Sequence, residues 1–167
     1  KDTLNEALKG KLRRFKGTQS KDECKYFPKY RDELKDIINE RIKADPNCDL
    51  NDIWVGDIDN MIFLFSGIKF NGDISRWDVG NVKNMNRMFY ICPFNGDISN
   101  WDVSNVEYMN SMFNGSSFNG DISRWDVGSV KDMNNMFFNS KFNGDISSWD
   151  VSNVTDMSNM FGSSAFD

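Results

Sequence analysis

The chain has 167 residues, 39% hydrophobic and 14% aromatic, which excludes a disordered chain and allows one domain with a sizeable core. It holds no run of 18 apolar residues, so no helix is expected to span a membrane, and no histidine, the commonest general base. Net charge is −5, divided between +3 over residues 1–50 (13 Lys and Arg, 10 Asp and Glu) and −8 over residues 51–167 (7 against 15), so the acidic part argues against nucleic acid as its partner.

The chain opens at Lys1, and the lack of a targeting signal there is uninformative. Leu4, Leu8, Leu12 and Phe15 form an apolar stripe of helical period, begun by a capping box of Thr3 with Glu6. Residues 9–16 (KGKLRRFK) are a basic cluster, read as the solvated face of that helix in preference to an anionic-surface patch. Residues 17–25 are polar and aperiodic, a connecting loop. A second helix is predicted over about 28–44, opened by Pro28, with Leu34, Ile37, Ile38 and Ile42 on its apolar face and Asp45-Pro46-Asn47 as its stop. Cys24 and Cys48 flank it at ends about 24 Å apart, a separation that disfavours a disulfide unless both flanks run back along the helix. With Cys92 the count is odd, and the redox state stays open.

From Leu50 onward one unit repeats. FNGDISRWDVGNVKNMNRMFYICP begins at Phe70 and returns at Phe94, Phe118 and Phe142, a period of 24 residues without insertion. An earlier, degraded copy places Ile53, Val55, Ile58, Met61, Leu64, Phe65 and Phe70 on Trp77, Val79, Val82, Met85, Met88, Phe89 and Phe94. A period in the twenties marks units that bury their apolar faces only by stacking on neighbours. Within the unit, Asn71-Gly72 reads as a turn, Trp77 and Val79 alternate inward as in a short strand, and Val82, Met85, Met88 and Phe89 recur at helical spacing. The fold expectation is therefore an α/β repeat: a leucine-rich-repeat-like β/α solenoid, with one short parallel strand and one short helix per 24-residue turn. Residues 1–48 are expected to be an N-terminal helical cap and residues 49–167 a solenoid of about five repeats, the first atypical. IxxWxV takes the place of LxxLxL.

The run FNGDISxWDVxxVxxMxxMF, recurring over residues 53–166, resembles the unit of the BspA-like leucine-rich-repeat surface proteins of bacteria. The resemblance implies a bacterial protein at the cell surface or secreted, acting in adhesion or in host or matrix protein recognition.

Comparing the copies separates scaffold from candidate site. Asp78, Asp102, Asp126 and Asp150 follow the Trp in every regular copy; we read each as accepting from backbone N–H groups just ahead. The alternative is a calcium ladder, helped by Asp73, Asp97, Asp121 and Asp145. The Trp column (77, 101, 125, 149) and the Met columns (85, 109, 133, 157 and 88, 112, 136, 160) are read as core. Asn81, Asn105, Ser129 and Asn153 are read as a polar ladder bonding backbone between copies. The column before Trp varies as Arg76, Asn100, Arg124 and Ser148 and, with the Asp column, should face a partner from the open sheet face. Lys83, Glu107, Lys131 and Thr155 make a rival column on the other side.

There is no GxSxG elbow, phosphate loop or CxxC pair. The expectation is a binding module without cofactor, metal or catalysis, taking a protein or glycan, not nucleic acid, and not inserted in a membrane. The alternative is a structural protein associating end to end through an uncapped last repeat.

Overall fold

The computed structural model describes residues 19–167, so the stripe at 4–15 and the basic cluster at 9–16 lie outside the described residues. From residue 49 on, the 24-residue period is a coil made of turns. In the coil that begins at Phe70, Trp77 N donates to Ile74 O (3.2 Å), Val82 N to Val79 O (2.9 Å), Met88 N to Met85 O (3.1 Å) and Cys92 N to Phe89 O (3.2 Å). Each i to i+3 bond closes a β-turn, and each bend sends an apolar side chain to the centre. Ile74, Trp77, Val79, Val82, Met85, Met88, Phe89 and Phe94 are all buried, as are their counterparts in the first coil, Ile53 to Phe70.

The expected strand and helix of each repeat are not formed. Among the described residues there is one α-helix and one 3-10 turn (Lys21–Glu23), and coils meet at isolated parallel bridges, such as Asn84 with Tyr108 and Tyr108 with Asp132, with no sheet. This overturns the β/α solenoid reading, and with it the open sheet face. The reasons lie in where the backbone bonds go. Trp77 and Val79 do alternate inward, but Trp77 N is committed to Ile74 O and Gly80 N to Asp78 Oδ1 within the coil, which leaves no ladder for a strand. In the expected helix, the N–H groups of Met85, Arg87, Phe89 and Ile91 donate to Tyr108, Asn110, Met112 and Asn114 of the next coil at 2.9–3.0 Å. Arg87 (φ 54°) and Ile91 (φ 50°) also sit in the left-handed region, which an α-helix does not admit. Apolar spacings of three and four mark the corners of a coil of turns as well as one face of a helix.

The stack has two differently bonded sides. Residues 85–91 and their equivalents pair backbone to backbone. On the other side, side chains reach back: indole Nε1 of Trp77, Trp101, Trp125 and Trp149 donates to Leu50, Ile74, Ile98 and Ile122 O at 3.0–3.1 Å. The amides of Asn81, Asn105 and Asn153 donate to Gly56, Gly80 and Gly128 O at 2.6–2.7 Å, and Ser129 Oγ to Ser104 O at 2.7 Å, the polar ladder anticipated. A second ladder runs through Asn71, Asn95, Asn119 and Asn143, whose Oδ1 atoms accept from Asn95, Asn119, Asn143 and Asp167 N at 2.7–3.0 Å. Phe65, Phe89, Phe113, Phe137 and Phe161 stack within 6° of parallel at 5.4–5.7 Å, and Trp77 on Trp101 at 6.4 Å, wider than the strand spacing of about 4.8 Å.

The Asn-Gly dipeptide, read as a turn, does not use left-handed backbone. Only Gly67 and Gly115 among the described glycines have positive φ. Gly96, Gly120 and Gly144 are required by approach: a Cβ there would lie 2.8–2.9 Å from the ring of the Phe two residues earlier.

Helix α1 (Arg31–Ala44) begins three residues after Pro28, with Tyr30 extended before it. Leu34 and Ile38 join the core of the coils, and Ile37 and Ile42 pack against it. An end coil presents unpaired backbone, and α1 answers it: Arg31 Nη1 donates to Ile62 O and Lys35 Nζ to Phe63 O, both at 3.1 Å. Gln19, buried, bonds Asn51 O (2.7 Å), Ile53 O (2.5 Å) and Val55 N (3.4 Å) as a surrogate strand. Cys24, Cys48 and Cys92 are free thiols.

Candidate partner-binding surface

Asx geometry fixes the aspartate columns. Oδ1 of Asp78, Asp102, Asp126 and Asp150 accepts from the N–H two residues on (Gly80, Ser104, Gly128, Ser152) at 3.0–3.2 Å. Asp73, Asp97, Asp121 and Asp145 do the same for Ser75, Ser99, Ser123 and Ser147 at 2.8–3.0 Å. The Ser152 hydroxyl and N–H hold Asp150 below the ordinary carboxylate range, and those of Ser123 do so for Asp121. Among the described residues, no three of His, Cys, Asp or Glu cluster as a metal would need. The aspartates are turn formers.

Arg76, Asn100, Arg124 and Ser148 fall in one exposed column beside them, on a face built of turns. Its members are unequally free. The Arg76 guanidinium pairs with Glu23 of the 3-10 turn, and Ser148 Oγ donates to Ser123 O at 2.6 Å. That leaves Asn100 and Arg124 as the side chains with no bond to a described neighbour.

The bonded edge at 86–91 is a second variable face, and one that sequence reasoning missed. Reading across the coils, its columns run Phe63, Arg87, Ser111, Asn135, Asn159; then Ser66, Tyr90, Asn114, Phe138, Gly162; then Gly67, Ile91, Gly115, Asn139, Ser163. The first and third columns have positive φ throughout, 50–57° for the non-glycine members. Asn, Ser and Gly suit that geometry; Phe63, Arg87 and Ile91 do not. The Arg87 guanidinium lies over two rings, 5.4 Å from the Phe63 centroid and 5.9 Å from that of Tyr90. Ile91 is 56% exposed.

These faces belong to a chain whose relationships are visible in its sequence. A family described as "Mycoplasma protein of unknown function, DUF285" matches residues 34–140 and, in a second overlapping match, 93–167. The chain belongs to this family. No curated protein and no solved structure matches it.

In this DUF285 chain the rival column is also placed on the surface. Asp59, Lys83, Glu107, Lys131 and Thr155 follow one another on successive coils, each backbone N–H bonded to the preceding member's carbonyl at 2.8–2.9 Å. Lys131 Nζ lies 2.5 Å from Glu107 Oε2, and this lysine, with a smaller pull from Lys83, holds Glu107 below the usual carboxylate range. Lys83, Asn105, Glu107, Ser129, Lys131 and Asn153 line a shallow groove of about 550 Å³. Beside it Tyr108, 39% exposed, stands where Asn60, Asn84, Asp132 and Asp156 make a third Asx turn. Asn86 Oδ1 serves Asn110 N (3.0 Å) in its place. The available chemistry is hydrogen bonding, ion pairing and apolar contact. The thiol of Cys92 is pushed up by burial. The signal that could have located the edge face was the recurrence of Gly, Asn and Ser at 67, 115, 139 and 163, which Ile91 interrupts.

Proposed function

We propose that the chain is a non-enzymatic binding module, displayed on a bacterial surface or secreted, that recognises a protein through the exposed faces of its coils. One observation carries this: buried columns are near-invariant from coil to coil, while the columns at 76, 83 and 91 vary and are exposed or half-buried throughout. The resemblance of the repeat to BspA-like surface units supports the surface role. Of the two ligand classes expected, a protein fits best, because these faces offer scattered charges and exposed side chains around shallow grooves and no deep pocket for a small molecule. An array of extracellular-matrix proteins, host surface proteins and glycans, probed with the whole chain, tests the reading. Saturable binding to a protein, weakened by Arg76→Ala with Arg124→Ala or by changes at 87 and 91, is the expected result. Binding to glycans alone, or to nothing on the array, overturns it.

A further inference from the structure

We infer that Arg87 and Ile91 form a docking site for an acidic, apolar peptide segment of the partner, in which a carboxylate meets Arg87 and an aliphatic or aromatic side chain covers Ile91. The inference rests on the binding-module reading and names where, and with what chemistry, it operates.

Three independent observations converge. The first is conformational. Both residues hold left-handed backbone (φ 54° and 50°); the later coils use Ser or Asn at the Arg87 position, where the first coil has Phe63 (φ 57°), and a β-branched residue such as Ile91 in that region is a genuine outlier. The stack closes without an Ile91 side chain, since both neighbouring copies have glycine there. The second is electrostatic. Arg87 is exposed, and among the described residues no carboxylate pairs with it, although residues 51–167 carry 15 acidic against 7 basic side chains. Two aromatic faces, Phe63 and Tyr90, hold its guanidinium in place, which leaves its in-plane N–H groups for a planar, bidentate acceptor such as a carboxylate. The third is shape. Ile91 stands in its column between Gly67 and Gly115: it leans toward Gly115, whose added Cβ would be 3.2 Å from Ile91 Cγ1, while beside Gly67 the space is open. Together with Lys69 and Pro93 these residues line a shallow depression of about 620 Å³.

The occupant follows from complementarity. Lys69 is the charged side chain lining the depression, in an otherwise acidic stack, whereas Arg31 on the neighbouring cap is already paired with Asp32 at 2.6 Å. Arg87 and Ile91 are four residues apart, at most about 14 Å, so one extended segment of a few residues reaches both.

The test is display selection of random dodecapeptides on the whole chain, followed by binding of the enriched peptides to variants. Enriched peptides should carry Asp or Glu within a few residues of Leu, Ile or Phe. Arg87→Gln and Ile91→Gly should each weaken them about tenfold or more, and Lys25→Gln, at an exposed lysine paired with Asp52 away from the depression, should leave them unchanged. Ile91→Gly should raise the unfolding midpoint while it removes binding, so that loss of fold cannot mimic the result. Enriched peptides without acidic residues, or binding indifferent to both substitutions, overturn the site; if that binding instead follows Arg76 and Arg124, the module reading stands. No enriched peptide and no partner on the protein array overturns both.

Discussion

Ile91 shows how a single residue can be read against its copies. A non-glycine residue in left-handed backbone costs about 1–2 kcal/mol, and Gly67 and Gly115 occupy the same place on either side. Ile91→Gly should therefore stabilise the chain by about 1 kcal/mol, allowing for the entropy glycine restores to the unfolded state; an unchanged or lower urea midpoint would contradict the strain. Gly120 makes the opposite case. Its φ is ordinary, and it is held to glycine by the Phe118 ring, 2.9 Å from where a Cβ would sit. Gly120→Ala should lose about 1–3 kcal/mol, measured by the same denaturation, and a neutral result would show that the ring gives way.

At the scale of elements, the coil is held by bonds that differ in kind on its two sides. Trp125→Phe keeps an aromatic ring in the core but removes the indole donor to Ile98 O, which keeps only its turn bond from Trp101 N at 3.2 Å. The expected loss is about 0.5–1.5 kcal/mol, and no measurable loss would mean that the indole is held by packing alone. In the cap, Arg31→Met with Lys35→Met leaves the Ile62 and Phe63 carbonyls without those donors. Hydrogen exchange should then quicken in α1 before it does in the coils beyond it; uniform change along the chain would count against that role. The period, the inward columns and the Asx turns at Asp73 and Asp78 were legible because each copy repeats the same residue for the same bond. Strand and helix were misread because Trp77-x-Val79 and Val82 to Phe89 meet the burial pattern of both elements, and burial alone does not say whether an N–H bonds within its own coil or to the next. The left-handed conformation of Arg87 and Ile91, which decides the matter, has no signal in either residue's type. Of the candidate faces, the column at Arg76 was seen beforehand and the edge at Arg87 was missed because it lay inside a segment read as helix, although Gly, Asn and Ser at 67, 115, 139 and 163 signalled it.

For the molecule as a whole, the carboxylates set the response to acid. Serine hydroxyl and N–H groups hold Asp121, Asp150 and Asp156 low, Ser147 does so for Asp145, and Lys131 for Glu107; burial opposes the shift at Asp73 and is outweighed by its bonds to Ser75 and Asn51. Folded values below the unfolded ones mean stability that is complete above the unfolded carboxylate range, about pH 4, and is lost as pH falls through the folded values. Melting temperature should be level from neutrality to about pH 5 and drop below about pH 4; a rise on acidification would mean that repulsion within the acidic stack dominates. The alternating column Asp59, Lys83, Glu107, Lys131 has a further consequence for assembly. Near-identical coils are exposed to a counting error, in which one is looped out and its neighbours close over the gap with every aromatic ladder intact. Such a skip sets Lys83 against Lys131, or Asp59 against Glu107, like charge on like. The four regular coils present like core side chains at each level, so it is this surface column that gives a skipped coil a charge mismatch.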